Sequence, residues 1–362
     1  MRWWWCVAVV GACLSLSPCV SIVTGGSRGI GKGIALELGK AGATVYVVGR
    51  SSRGRQSVER SLPAGEDLTV EATAEAVTAA GGVGVAVALD ATDDRALAQL
   101  AERVREEAGR LDVVACSAYS TPPSLEGPGF RDAFWRQGAA MWDACHGVGL
   151  RSAYVLCCEA APLMVETAAS GGRPIVAIVS SFGGQSYTFN VAYGVGKAAT
   201  DRLVKDMAIQ LAPVGIDAVS LYPGIVRTEG NLELDRRGEW ADASGGLDLE
   251  SGETPGFTGR ALVKLLEQPP EIRRARSGTV QVVAELAREL DFEDDGGRRP
   301  PSIRSLRFLV PNFVLTDAKL RTFPPSIAPF LKAARDRLVP DVLLPWSVFS
   351  GGPPPPPSSS SS

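Results

Sequence analysis

The stretch "VSIVTGGSRGIGKGIALELGKAGATVYVVGR", Val20 to Arg50, decides the fold. It reads as a strand, a glycine-rich turn, a helix and a second strand. Ile30, Ile34, Ala35 and Leu38 recur at helical period, and "ATVYVVG" is an apolar run suited to a strand covered on both faces. Between them, "TGGSRGIG" sets Gly25, Gly29 and Gly31 at the join of strand and helix. Glycine is required where the chain turns through positive φ and where a pyrophosphate must approach the backbone closely. The helix start then offers free N–H groups and a positive dipole end to phosphates. Alone, a glycine triplet is a weak signal; at the end of a buried strand opening a βαβ unit it is a strong one.

Working outward, the alternation continues. "TVEATAEAVTAAGG" is a helix ending in glycine, "VGVAVALD" (Val83 to Asp90) a third strand, and "DDRALAQLAERVREEAGR" an amphipathic helix opened by an acidic cap. "LDVVACSAY" is a fourth strand, after which a Trp-bearing segment runs into the helix "RSAYVLCCEAAPLMVETAA". "PIVAIVSS" is the fifth strand and "GIDAVSLYPGIVRT" the sixth, with a helix containing Tyr193 between them. This spacing predicts an α/β protein with a doubly wound parallel sheet, the Rossmann fold, in a single domain with a C-terminal extension. The expected divisions are an apolar segment at 1–17, the domain at 18–297, an extension at 298–350 and a disordered Pro/Ser tail at 351–362. Residues 51–67 read as a polar surface insertion, and about 229–260 as a mobile loop that shapes a substrate pocket.

Composition bounds the function. With 362 residues and 45% hydrophobic content the chain can bury a large core, and a net charge of -3 gives no case for nucleic acid. Seven cysteines without a CxxC pair read as reduced, mostly buried thiols. A single histidine, His146, excludes a multi-histidine metal site, and no metal is expected. "WWWCVAVVGACLSLS" after Arg2 has the n-region and h-region of a signal but is short for a membrane span. Signal, membrane-contacting anchor, apolar arm and mis-assigned start codon all stay open. The protein is expected inside the cell, with the endoplasmic reticulum or another organelle reached through that segment.

The second strand ends on Gly49, followed by Arg50 and Ser51. No carboxylate stands there to repel a 2′-phosphate, and a guanidinium stands ready to pair with it, so NADP(H) is preferred over NAD(H). Arg28 adds a second positive charge from the glycine turn. Asp90, closing strand three, is placed to reach the adenine, with Ala91 and Thr92 contributing contacts.

"YGVGK" puts Tyr193 and Lys197 on one helix face, four residues apart. A phenol of pKa about 10 works as an acid–base group near neutrality only beside a positive charge, which Lys197 can supply. Ser181, twelve residues before Tyr193, can hydrogen-bond a substrate carbonyl across the pocket. Gly194 and Gly196 each cost the helix roughly 1 kcal/mol, which implies a close approach by the cofactor side of the sheet or by a partner subunit.

"TGGSRGIG", Asp90, Ser181, "YGVGK" and "LYPGIVRT", in this order over about residues 18–230, resemble the short-chain dehydrogenase/reductase family. A narrower likeness to one subgroup rests on "NVAYGVGKAA", "SLYPGIVRTE", "MWDACHGVGLRSAY", "GRALVKLL" and "SGTVQVVAELA". The resemblance implies a pyrophosphate site at Gly25, Ser27, Arg28 and Ile30 and a catalytic set of Ser181, Tyr193 and Lys197. It also implies a nicotinamide contact from Pro223, Gly224, Val226 and Thr228. Two departures stand out: Cys116, Ser117, Ala118 and Tyr119 replace the family's Asn-Asn-Ala-Gly, and Gly149 replaces an asparagine that holds a proton-relay water.

The function expected is NADPH-dependent reduction of an apolar ketone or aldehyde to an alcohol, with Trp135 and Trp142 helping residues 229–260 to cap the pocket. The alternative is a nucleotide-binding scaffold or sensor that has lost turnover. A homo-oligomer formed through the YxxxK helix and its neighbour is expected by analogy.

Overall fold

β1 (Val20–Thr24), β2 (Thr44–Gly49), β3 (Val83–Ala88), β4 (Val113–Cys116), β5 (Ile175–Val179), β6 (Asp217–Tyr222) and β7 (Val280–Val282) form one parallel sheet in the order β3-β2-β1-β4-β5-β6-β7. Every residue of β1, β4 and β6 is buried, so helices must cover both faces. This is a doubly wound α/β fold, seen in a computed structural model that describes residues 16, 18–54, 63 and 65–349. Most of the apolar segment at 1–17, the tail at 351–362 and residues 55–62 of the polar insertion lie outside the described residues.

The helices are α1 (Gly29–Lys40), α2 (Val70–Ala79), α3 (Asp94–Ala108), α4 (Phe134–His146), α5 (Ser152–Ala169), α6 (Val191–Leu211), α7 (Glu229–Arg236), α8 (Trp240–Ser244), α9 (Pro255–Leu266), α10 (Pro270–Arg276) and α11 (Val283–Glu289). One face of the sheet packs on Ile34, Ala35 and Leu38 of α1, Val70 and Val77 of α2, Phe257 and Leu262 of α9 and Val283 of α11. The other packs on Leu97 and Val104 of α3, Leu156 and Leu163 of α5 and Val204 and Ala208 of α6. Local chemistry sets the ends: Asp93 accepts from Ala96 N at 3.1 Å to start α3, and Gly109 stops it at φ +64. Leu16 joins the fold early, its N–H donating to Ala41 O at 2.8 Å.

Residues 229–260 differ from the mobile loop expected from their composition. Thr228 accepts from Asn231 N at 3.2 Å to start α7, and the buried Glu233 carboxylate ties Arg236 and Arg237 at 2.6–2.7 Å. The polar composition reflects these local ion pairs rather than disorder. The threonine followed by an acidic first turn was a readable helix-start signal.

The C-terminal extension carries α12 (Leu306–Leu309), α13 (Asp317–Leu320) and α14 (Ala328–Leu338) and then returns to the domain. Leu306 N donates to Val342 O, and Leu344 N to Arg304 O. Trp346 then stacks on Phe182, ring centroids 6.2 Å apart, while Arg304 lies over the Trp346 ring at 4.6 Å. The extension therefore ends against the residue that follows Ser181.

Candidate active site

Strand order reverses between β1 and β4, and the crevice beyond their carboxyl ends is where such sheets bind ligands. Thr24 holds the two strand ends together, its Oγ1 accepting from Ser117 N at 3.2 Å and Ala118 N at 3.4 Å. Gly25 turns away at φ +68, and a Cβ there would meet Ala118 backbone at 2.9 Å. A Cβ on Gly31 would lie 2.2 Å from Gly25 O, so the first turn of α1 sits directly on the strand end. A groove of about 340 Å³ opens over this turn. Gly25, Ser27, Arg28, Gly29, Ile30 and Gly31 line one wall, Arg50 and Ser51 one end, and Asp90 and Ala91 the rim. Arg28 Nη1 donates to Ser51 Oγ at 3.3 Å, which brings Arg28 to the residue beside Arg50. Asp90 Oδ1 accepts from Thr92 N and Oγ1 at 3.0 and 2.8 Å, which turns Thr92 towards Asp90. The cradle suits a dinucleotide, because without side chains at Gly25 and Gly31 the strand ends and the first turn of α1 close on one another and bring backbone N–H groups to the groove.

The loop after β6 divides. Thr228 lines the groove and packs on Gly29, whereas Val226 is buried and bridges to Glu253. Glu229, which sequence reasoning missed, accepts from Gly29 N at 2.8 Å and approaches Lys32 Nζ at 3.9 Å. It thus places a carboxylate at the positive end of α1. Glu253 was missed as well. Burial pushes its carboxyl up to about 8, while Gly224 N–H bonds to it. A carboxyl that stays protonated in the folded chain and ionises when unfolded near 4.5 binds more protons folded than unfolded across that interval. Its contribution to stability is therefore complete at acid pH and declines as pH rises from about 4.5 to about 8. Glu253→Gln should flatten this decline; thermal melts of both proteins from pH 5 to 8 check it, and parallel curves would refute the assignment.

Ser181, Tyr193 and Lys197 converge at the end of β5. Asn190 starts α6 by accepting from Tyr193 N at 2.8 Å, and Lys197 follows one turn on. Ser181 Oγ accepts from Gly183 N at 3.1 Å and shares a hydrogen bond with the Tyr193 hydroxyl. Lys197 Nζ donates to Val179 O at 2.9 Å. The electrostatics differ from the expectation that the ammonium draws the phenol down. Burial pushes the phenol up to about 12 and the ammonium down to about 8, because desolvation penalises both charged forms. Against burial, the Ser181 hydrogen bond favours the phenolate.

The glycine question also resolves within the chain. A Cβ on Gly194 would lie 3.2 Å from Gly183 O, and one on Gly196 3.0 Å from the His146 ring. The close neighbours are the serine loop and α4 rather than the cofactor groove. His146 itself bonds to Ala192 O at 2.9 Å.

Three rings surround the Tyr193 ring: Phe189 at 5.4 Å, Phe130 at 5.7 Å and Tyr119 at 5.8 Å between centroids. Phe189 sits at φ +64, a strained backbone for so bulky a residue. Phe130 is pinned through its carbonyl, which accepts from Asn190 Nδ2 and Gln137 Nε2 at 2.8 and 2.9 Å. The tryptophans expected in this role lie elsewhere. Trp135 is 72% exposed, and Trp142 packs on His146 beside a separate hollow lined by Tyr154 and Leu203. Gly138, at φ +63 and ψ -168, breaks α4 between the two tryptophans, so no continuous helical face carries both.

Below Lys197, Asp201 is one helical turn further on. The Tyr222 hydroxyl donates to Asp201 Oδ2, and burial raises both groups above their ordinary values. Cys19, Cys116, Cys145 and Cys157 are buried free thiols and Cys158 is an exposed one, in accord with a reduced set among the described residues.

A parallel sheet with this strand order and a glycine cradle at its reversal point defines a dinucleotide-binding α/β protein. The sequence pattern of the short chain dehydrogenases matches residues 19–238. Dehydrogenase/reductase SDR family member 1 of Mus musculus is 38% identical over 284 residues, 77% of this chain and 84% of that protein. The Homo sapiens protein of that name is 37% identical over the same length. A solved short chain dehydrogenase from Mycobacterium paratuberculosis, bound to NAD, shares the fold with a TM-score of 0.60 at 19% identity. That match covers 74% of this chain and 97% of the other. The chain belongs to the short-chain dehydrogenase/reductase family, oxidoreductases that use a nicotinamide cofactor.

Proposed function

We propose that the protein is an NADPH-dependent reductase of apolar ketones or aldehydes, with Tyr193 as the acid–base group. The observation that carries this reading is the Ser181–Tyr193 hydroxyl pair, set one helical turn from Lys197 at the end of β5. Gly25, Ser27, Arg28, Ile30 and Gly31 would hold the pyrophosphate, with Gly29 among them bonded to Glu229, and Thr228, with Pro223, Gly224 and Val226, the nicotinamide end. When bound, the cofactor supplies a hydride to the carbonyl carbon. Tyr193 gives its hydroxyl proton to the carbonyl oxygen, Ser181 orients that oxygen by a hydrogen bond, and Lys197 stabilises the phenolate left behind. Phe130 and Phe189 give the approach to Tyr193 an aromatic surface, which supports an apolar substrate. A screen of ketones, aldehydes and steroids for NADPH consumption tests the reading; no turnover across the panel would overturn it.

The preference for NADP(H) rests on Arg28, Arg50 and Ser51 at one end of the groove. A hydrogen bond to a charged group contributes about 1.5–3 kcal/mol, a factor of about 10–150 in affinity. Arg50→Asp should therefore weaken NADPH by at least about tenfold and leave NADH within about threefold, as read by cofactor fluorescence titration. Equal losses for both cofactors would remove Arg50 from the phosphate site. A homo-oligomer is supported by the exposed Trp142, Tyr154 and Val195 on α4, α5 and α6, and light scattering checks it.

A further inference from the structure

We propose that Tyr119 is a positioning residue, a ring seated over Gly149 that holds the Tyr193 phenol and the Lys197 ammonium in place. This rests on the reading of Tyr193 and Lys197 as the reacting pair. Tyr119 lies three residues beyond β4, and its hydroxyl stands 2.8 Å from Cys145 Sγ on α4. After α4 the chain passes through one wide π-type turn, Gly147–Arg151, before α5 begins. Such turns recur at functional sites because they displace one residue from the regular helical path. Here the displaced stretch brings Gly149 under the ring, where a Cβ would lie 3.1 Å from Tyr119 Cδ2. The tyrosine and the glycine, which read as two separate departures in the sequence, are therefore one steric unit.

The ring meets both members of the pair. It stands edge-to-face on the Tyr193 ring, at 82°, and Lys197 Nζ lies 5.4 Å from its centroid and 5.7 Å from that of Tyr193. The ammonium thus rests between two aromatic rings and the Val179 carbonyl. A ring attracts a cation without claiming its N–H donors, which leaves them available to a ligand. A carboxylate in the same place would take them. The other groups around Lys197 are Cys145 from α4 and Asp201 from its own helix, the latter engaged by Tyr222 and Gln185.

Tyr119 is also the residue shared by the cofactor groove and a void of about 10 Å³ bordered by Cys145, Gly149, Tyr193 and Lys197. That space is at the lower limit for one water. Removing the ring would join it to the groove and hydrate the ammonium. At 5.4 Å the cation–ring attraction is near the outer end of its range, so the gain in hydration outweighs its loss.

The test uses the full chain with Tyr119→Ala and Tyr119→Phe, and Tyr119→Leu should the alanine variant fail to fold. Competitive acylation of lysines across pH 6–10, read peptide by peptide by mass spectrometry, gives the titration midpoint of Lys197 without any substrate. The wild type should titrate near 8, and Tyr119→Ala should move upward by at least one pH unit. Where volume is kept but the ring is lost, as in Tyr119→Leu, the midpoint should instead move downward. Turnover in either variant should fall 10–100-fold with the NADPH dissociation constant within threefold. Tyr119→Phe should match the wild type on every measure within threefold. An unmoved midpoint, an unchanged kcat in an active enzyme, or a phenylalanine variant as damaged as alanine overturns the proposal. A moved midpoint in a protein that turns over nothing would sustain the positioning role and reject the reductase reading.

Discussion

Tyr193→Phe is expected to lower kcat for NADPH-dependent ketone reduction at least a hundredfold while leaving cofactor affinity and melting temperature nearly unchanged. General acid catalysis by a positioned side chain contributes about 10²–10⁴-fold. The substitution deletes only the oxygen that carries the proton. The ring contacts to Tyr119, Phe130 and Phe189 need no hydroxyl, so the aromatic surround persists. The hydrogen bond lost to Ser181 is worth about 0.5–1.5 kcal/mol, and the serine keeps its bond from Gly183 N. Steady-state rates with a ketone from the screen, alongside NADPH titration and thermal melts, decide the matter. Turnover within tenfold of the wild type would remove Tyr193 from the proton-transfer step. Equal NADPH binding with no turnover in either protein would instead favour the scaffold alternative.

The second large effect concerns stability. Gly33→Ala on α1 should destabilise the protein by about 2 kcal/mol, although helix propensity alone predicts a gain of about 1 kcal/mol. A Cβ at Gly33 would lie 2.2 Å from Pro255 O and 2.7 Å from Gly256 N, where α1 meets the start of α9. No rotamer change relieves a clash between Cβ and backbone, so the helices must separate at a cost near the ~3 kcal/mol upper end for overpacking. At about 2.1 cal/mol/K per residue a chain of 362 residues loses a little over 1 °C per kcal/mol, so the melting temperature should fall by about 3 °C. Gly147→Ala is the control, since a Cβ there meets nothing within 4 Å and should be neutral or mildly stabilising. A Gly33→Ala protein as stable as the wild type would show that α1 and α9 do not touch as described.

Legibility followed the range of the interaction. The strands, the glycine cradle and the Ser181–Tyr193–Lys197 set could be read because each depends on neighbours within a few residues or on an ordered series along the chain. Burial periodicity exposed β1 and α1, and the i,i+4 spacing put Tyr193 and Lys197 on one face. The residues around them were not legible. Phe130, Phe189 and Tyr119 reach Tyr193 from separate loops, and their convergence leaves no periodic trace. Trp135 and Trp142 look better suited by composition, but α4 breaks at Gly138 between them and both are exposed. The segment 229–260 has the composition of a mobile loop because its ion pairs resemble solvated charge in a one-dimensional reading.

By itself the sequence determined the doubly wound sheet, the cradle at Gly25–Gly31 and the order of the reacting groups, because short-range geometry and apolar periodicity specify them. Only the tertiary structure decided what those groups face. It set Lys197 against Val179 O and two rings, buried the phenol far enough to push it up to about 12, and brought Glu229 from 200 residues away onto Gly29 N. Desolvation and steric exclusion are properties of the packed whole, and no stretch of chain carries them before its neighbours arrive.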